Sequence, residues 1–145
     1  SLNLSAKGEG NAVLIKSGIP YEEHNANEMI RIMQNLNPIK NTQKSRDKNK
    51  LCSGQTLLCK SLNLKVPDWN QKQFHQNHFY IDDIGYQPEK IIHTTRLGIP
   101  VGRDEHLPLR FIDEKYRVFS TNQGRVHRVP EPHPNHIFKY SSYTQ

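Results

Sequence analysis

The sequence predicts a mostly irregular, extended chain with low regular structure and no large independent core, and three observations carry that expectation. Apolar residues make up 34% of the 145, against roughly 45–50% in ordinary soluble domains. Burial therefore has little with which to offset the cost of about 1–2 kcal/mol of backbone entropy for each ordered residue. Gly85, Pro88, Gly98, Pro100, Gly102 and Pro108 interrupt the middle of the chain so often that only short elements fit between them. The aromatic residues from Trp69 to Tyr86 follow neither the helical nor the strand period. Full disorder is not expected either, because a net charge of +6 is too small to hold the chain open by self-repulsion.

Two regular elements stand out, and the chain is otherwise read as a single extended path over 1–145. The N-terminus, Ser1-Leu2-Asn3-Leu4, lacks the apolar core of a secretory signal. A helix is expected over about 20–36. Pro20 and the acids Glu22 and Glu23 suit its first turn, and Met29, Ile30, Met33 and Leu36 line one face. Pro38 ends it by pushing Asn37 out of the helical region. Residues 39–50 are rich in Lys, Asn, Gln and Ser and read as a basic polar linker. The alternation of Leu62, Leu64 and Val66 suggests a short strand up to Pro67. Residues 66–108 form an irregular, aromatic-anchored segment, in which Ile91 and Ile92 fit one helical turn after Pro88-Glu89.

A small β-meander is expected over about 109–129. Leu109–Ile112 and Tyr116–Phe119 flank a charged turn, and a second turn at Thr121–Gly124 precedes Arg125–Val129. Beyond it, residues 130–145 read as an extended tail, with His133 held between two prolines.

The motifs that carry chemistry are missing. His75/His78 and His133/His136 are paired, but a structural zinc site needs four converging ligands, usually with thiolates, and Cys52 and Cys59 are too far apart for the usual spacing. These two cysteines leave a disulfide open, although one candidate pair in a chain of this length favours a reducing, intracellular setting. The carboxylate pairs Asp82-Asp83, Asp104-Glu105 and Asp113-Glu114 are sequence neighbours, which point to opposite sides of an extended chain. No nucleophile elbow, phosphate-cradling loop or dinucleotide fingerprint occurs. No catalytic residue, cofactor or metal is therefore expected, and the chain is read as a non-enzyme. With no apolar run of 18 residues, a membrane-spanning helix is excluded. The surplus of lysine lies in the first half, which favours an acidic partner.

The phrases Thr94-Thr95-Arg96 and Tyr140-Ser141-Ser142-Tyr143-Thr144, with the irregular aromatic path from Trp69 to Tyr86, resemble those of microtubule inner proteins of ciliary and flagellar doublets. The resemblance implies a structural protein of the axoneme, bound along the doublet wall and stabilising it through extended contacts with tubulin and neighbouring axonemal proteins. On that reading Trp69, Phe74, Phe79, Tyr80, Tyr86, Tyr140 and Tyr143 are partner-binding anchors. Arg96, Arg103, Arg110 and Arg117 would pair with acidic side chains of the partner. The alternative is an RNA-associated structural protein, since arginine and aromatic residues interleave in the second half.

Overall fold

The computed structural model describes residues 1–6, 8–21 and 25–120, together with the backbone of 139–141. They group into two compact units, one built on Ser1–Phe79 and the other on Tyr80–Val118 with a strand at Lys139–Ser141.

The first unit opens with a two-stranded antiparallel ladder, β1 (Leu2–Asn3) and β2 (Ala12–Val13), in which Leu2 faces Val13 and Asn3 faces Ala12. Helix α1 runs over Ala26–Leu36, within the span expected at 20–36, while residues 22–24 lie outside the described residues. Its expected apolar face divides. Met33 is buried and Ile30 packs beside it, whereas Met29 and Leu36 are exposed together with Ile32.

The segment at 39–50 is more ordered than a linker. Arg46 donates from Nε to the Asn37 carbonyl and from Nη2 to that of Pro38, and Gln34 donates from Nε2 to the Arg46 carbonyl. Asp47 then accepts from the Asn49 amide and opens a 3-10 helix, Lys48–Lys50. Arg46 thereby satisfies carbonyls that a helix end leaves unpaired.

The strand expected at 62–66 is not formed. Residues Gln55–Ser61 are helix α2, and Val66–Trp69 form the short helix α3 with Pro67 in its first turn. The leucines were misassigned because α2 ends in a Schellman motif that reverses the chain between them. Asn63 takes a left-handed φ of 52°, with Asn63 N–H donating to Lys60 and Leu64 N–H to Cys59. The core of this unit is small: Met33, Leu51 and Cys52, with Ile30 and Leu58 against them.

The second unit is a three-stranded antiparallel sheet in the order β4 (Arg110–Asp113), β3 (Ile91–Thr94), β5 (Lys139–Ser141). Ile92 sits at its centre, opposite Ile112 on one side and Tyr140 on the other, and is buried. The hairpin expected within 109–119 is replaced by this longer-range pairing. Ile91 and Ile92 are β-branched and adopt a strand rather than a helical turn. Residues Glu114–Phe119 form a 3-10 helix in place of a second strand, started where the Asp113 carboxylate accepts from the Lys115 amide. The third strand of the expected meander, 125–129, lies outside the described residues, as does the tail apart from 139–141. Among the described residues no helix is long and apolar enough to cross a membrane.

Candidate nucleic-acid interface

In the first unit, a turn at Leu51–Gln55 joins three segments that are distant in sequence. Gly18 N–H donates to the Cys52 carbonyl at 3.1 Å, the Gly54 amide donates to Ser17 Oγ at 3.1 Å, and Lys16 Nζ donates to Gln55 Oε1 at 3.2 Å. These bonds fix 16–18 along the turn. Gly54 holds φ 112° and ψ 147°, a conformation that side-chain-bearing residues rarely adopt, just where the turn enters α2.

The turn is held from behind by a buried polar pair. Asn37 Nδ2 donates to the Leu51 carbonyl (3.1 Å), the Leu57 carbonyl (3.3 Å) and Ser61 Oγ (3.0 Å). Ser61 Oγ donates in turn to the Leu51 carbonyl at 2.8 Å. Both residues are almost fully buried, so this network replaces the water their polar atoms would otherwise need. Cys52 lies beside it, and burial pushes its thiol above the usual range, an effect the Ser61 hydrogen bond opposes. Cys52 and Cys59 are both free, the first buried and the second exposed.

The segment at 39–50 carries the densest run of positive charge in this unit. Lys40 and Lys44 are exposed beside Arg46, Lys48 and Lys50, with Asp47 the sole acid from 39 to 50. Basic side chains of this kind can contact the phosphates of a nucleic-acid backbone.

Of the expected anchors, the structure brings together Trp69, Phe74 and Phe79. Phe79 meets Trp69 edge-to-face at 5.2 Å and Phe74 at 5.5 Å, across a tight turn closed by His75 and Phe79. They pack on one another as a small local cluster. Tyr80 is about half exposed. Tyr86 donates to Asp113 Oδ2 at 2.8 Å, which pushes its phenol up to about 12.

Arg96 turns inward, donating from Nη2 to the carbonyls of Arg103 and Asp104, while its Nε is buried without a hydrogen-bond partner. Arg96 and Arg103 line an open depression of about 430 Å³ with Ile99, Pro100, Gly102 and Asp104. Arg110 lies on β4, where burial lowers its pKa, and Arg117 lies on the 3-10 helix. Tyr140 is placed on β5, and Tyr143 lies outside the described residues.

The carboxylate pairs serve turns. Asp82 accepts from the Asp83 amide, Asp83 from that of Gly85, and Glu105 from those of Gly102 and Arg103; its own backbone amide first, and then those two, hold the Glu105 carboxyl below the usual range. Among the described residues no three His, Cys, Asp or Glu side chains converge as metal ligands. From the sequence Asn37 marks only a helix end, and Ser17 and Ser61 have no assigned role. The local signal for the turn was Leu51-Cys52-Ser53-Gly54, a compact phrase ending in a glycine that the backbone requires.

The family model for methylpurine-DNA glycosylase (MPG) matches residues 1–117. The chain belongs to the methylpurine-DNA glycosylase family. Relatives of this chain include proteins named putative 3-methyladenine DNA glycosylase from three pseudomonads. The one from Pseudomonas aeruginosa (strain UCBPP-PA14) is 50% identical over 125 residues, covering 83% of this chain and 51% of its own. That from Pseudomonas savastanoi pv. phaseolicola is 50% identical over 121 residues, covering 83% and 54%. That from Pseudomonas fluorescens (strain Pf0-1) is 48% identical over 121 residues, covering 83% and 52%. The chain spans about half the length of these curated relatives. No solved structure matches it.

Family membership overturns the resemblance to microtubule inner proteins and everything that followed from it. Tubulin and axonemal proteins are not supported as partners, nor the cilium as a location, and RNA is not supported as the alternative. The expectation of a non-enzyme is likewise corrected, since the relatives are named as DNA glycosylases. The first phrase behind the resemblance has a local role here: Thr94 ends β3, and Arg96 donates to the carbonyls of Arg103 and Asp104.

Proposed function

We propose that this chain acts in DNA repair as a 3-methyladenine-type DNA glycosylase, releasing alkylated purines from the sugar–phosphate backbone. The observation that carries this reading is the family match over residues 1–117. In this reaction the oxygen of water bonds to C1′ of the deoxyribose and gives up one of its protons, which passes to solvent. The C1′–N bond breaks, its electron pair leaves with the purine, and an abasic site remains. Alkylation on a ring nitrogen gives the base positive charge, so it departs more readily than an unmodified purine. The base must first leave the stack, which costs a few kcal/mol and is cheapest for a damaged base.

The contribution assigned to the described residues is DNA binding. Lys40 and Lys44 are exposed and suit phosphate contacts, while Arg46, bonded to the Asn37 and Pro38 carbonyls, anchors the segment that carries them. Asp47, Asp83, Glu105 and Asp113 already accept backbone amides, and we assign none of them as the base that activates water.

Binding of a fluorescently labelled duplex tests this proposal. The expected result is affinity that falls as salt rises, and tighter binding to a duplex holding an alkylated purine than to the same unmodified duplex. Equal affinity for both duplexes, or affinity indifferent to salt, would overturn it.

A further inference from the structure

We propose that the turn at 100–103 is a DNA contact, in which Val101 packs on the sugar edge of one strand and Arg103 pairs with the phosphate beside it. The proposal rests on the DNA-glycosylase reading above and adds to it a contact made by the second unit.

Val101 is 90% exposed, more than any other large apolar side chain among those described. A slack loop would let such a side chain fold back onto its surroundings, but this one is held out by a braced turn. Arg103 N–H donates to the Pro100 carbonyl at 3.2 Å, and Gly102 takes a left-handed φ of 83°, as the third position of a type II turn requires. The Glu105 carboxylate clamps the turn by accepting from the amides of Gly102 (2.9 Å) and Arg103 (3.2 Å). Arg96 adds two more bonds, from Nη2 to the carbonyls of Arg103 (3.1 Å) and Asp104 (3.3 Å). Bracing of this kind cuts the ordering entropy that a loop loses when it docks.

The side chains beside the tip select the partner. Arg103 is exposed and lines an open depression of about 430 Å³ with Arg96, whose Nε is buried without a hydrogen-bond partner. Of the two acids nearby, Glu105 is spent on the amides of the turn, and Asp104 lines the same depression. An apolar tip two residues from an exposed arginine matches one nucleic-acid strand, where sugar faces alternate with phosphates. A protein partner fits less well. Val101 stands among Pro100, Gly102, Arg103 and Asp104, whereas a stable protein interface has a broad apolar centre.

Fluorescence anisotropy of a labelled duplex carrying an alkylated purine tests the proposal, with its phosphates replaced one at a time by uncharged methylphosphonate. One replacement should weaken binding of the native chain about tenfold, the scale of one charged hydrogen bond. The same replacement should leave the already weakened Arg103→Gln variant unchanged. Arg103→Gln should also reduce the salt slope by about 0.9, and Arg103→Lys should restore it. Val101→Ser should weaken binding about fivefold at an unaltered salt slope, since it removes apolar contact and no charge. Asp104→Asn, at a left-handed φ of 58° that asparagine tolerates, should tighten binding about threefold. Native affinity in both Arg103→Gln and Val101→Ser would overturn the proposal and leave the glycosylase reading standing. So would methylphosphonate effects that are the same in the native chain and in Arg103→Gln at every position. A free chain that self-associates until Val101→Ser makes it monomeric would give the tip to a second copy, and would also overturn the proposal. A native chain that binds no duplex would overturn both readings.

Discussion

Replacing Asn37 should cost more stability than any surface substitution in the first unit, and the structure sets the scale. Its Nδ2 makes hydrogen bonds of 3.1 and 3.0 Å to Leu51 and Ser61 and a longer one of 3.3 Å to Leu57. Two well-placed bonds at about 1 kcal/mol each, plus about 1 kcal/mol for the void left by the amide, give roughly 3 kcal/mol for Asn37→Ala. Whole domains are stable by only about 5–15 kcal/mol, and the core here has three buried apolar side chains.

Asn37→Asp has nearly the same shape but aims a carboxylate at the Leu51 and Leu57 carbonyls, so at neutral pH it should cost more than Asn37→Ala. Burial and those carbonyls raise the folded-state pKa of the new carboxyl above its unfolded value of about 3.9. Stability is then greatest below the unfolded pKa and falls as pH rises through the folded one, so the defect should shrink between pH 7 and pH 4. Urea unfolding followed by Trp69, the sole tryptophan, reads this unit. A change within about 0.5 kcal/mol for Asn37→Ala, the range of an ordinary surface site, would refute the reasoning. So would Asn37→Asp no worse than Asn37→Ala at pH 7.

Tyr86 should titrate near 12, because its hydrogen bond to Asp113 favours the neutral phenol. The raised value means this contribution is present below about pH 10 and is lost as pH climbs through 12. Asp113→Asn should return the phenolate absorbance change attributable to Tyr86 to about pH 10, and an unaltered curve would contradict that assignment. With a thiol-reactive chromogenic disulfide, Cys59 should react in the folded chain, whereas Cys52, buried with its thiol pushed up, should react only on unfolding. Equal rates would mean the core is open. Lys40→Gln and Lys44→Gln should each reduce the salt slope of DNA binding by about 0.9. Unchanged slopes would remove this segment from the interface.

Much of what was legible from residue pattern was local. The stretch leading to Asn37-Pro38 has a helical period and a definite stop, and α1 ends there. Long-range pairing was not visible. Arg110–Asp113 has a good strand partner within reach at 116–119, yet pairs with Ile91–Thr94, and nothing in either segment alone selects that choice. Leu62 and Leu64 alternate as strand residues do, but the left-handed Asn63 between them is a helix terminus. The local contacts of the expected anchor residues were illegible for a related reason. Trp69, Phe74 and Phe79 pack on one another although Phe74 stays exposed, and Arg96 spends donors on backbone carbonyls. The enzymatic family was illegible because the family's chemistry uses none of the motifs that the residue pattern could test for, a nucleophile elbow, a phosphate-cradling loop or a dinucleotide fingerprint, and the chain spans only about half the length of its relatives.

The most direct test of the glycosylase account is release of free base from DNA treated with a methylating agent. It should be followed chromatographically with the 145-residue chain alone and with the remaining portion of the Pseudomonas aeruginosa relative added. The account predicts release of 3-methyladenine, leaving abasic sites, with unmodified purines retained. Release no faster than spontaneous depurination in both arms would contradict it.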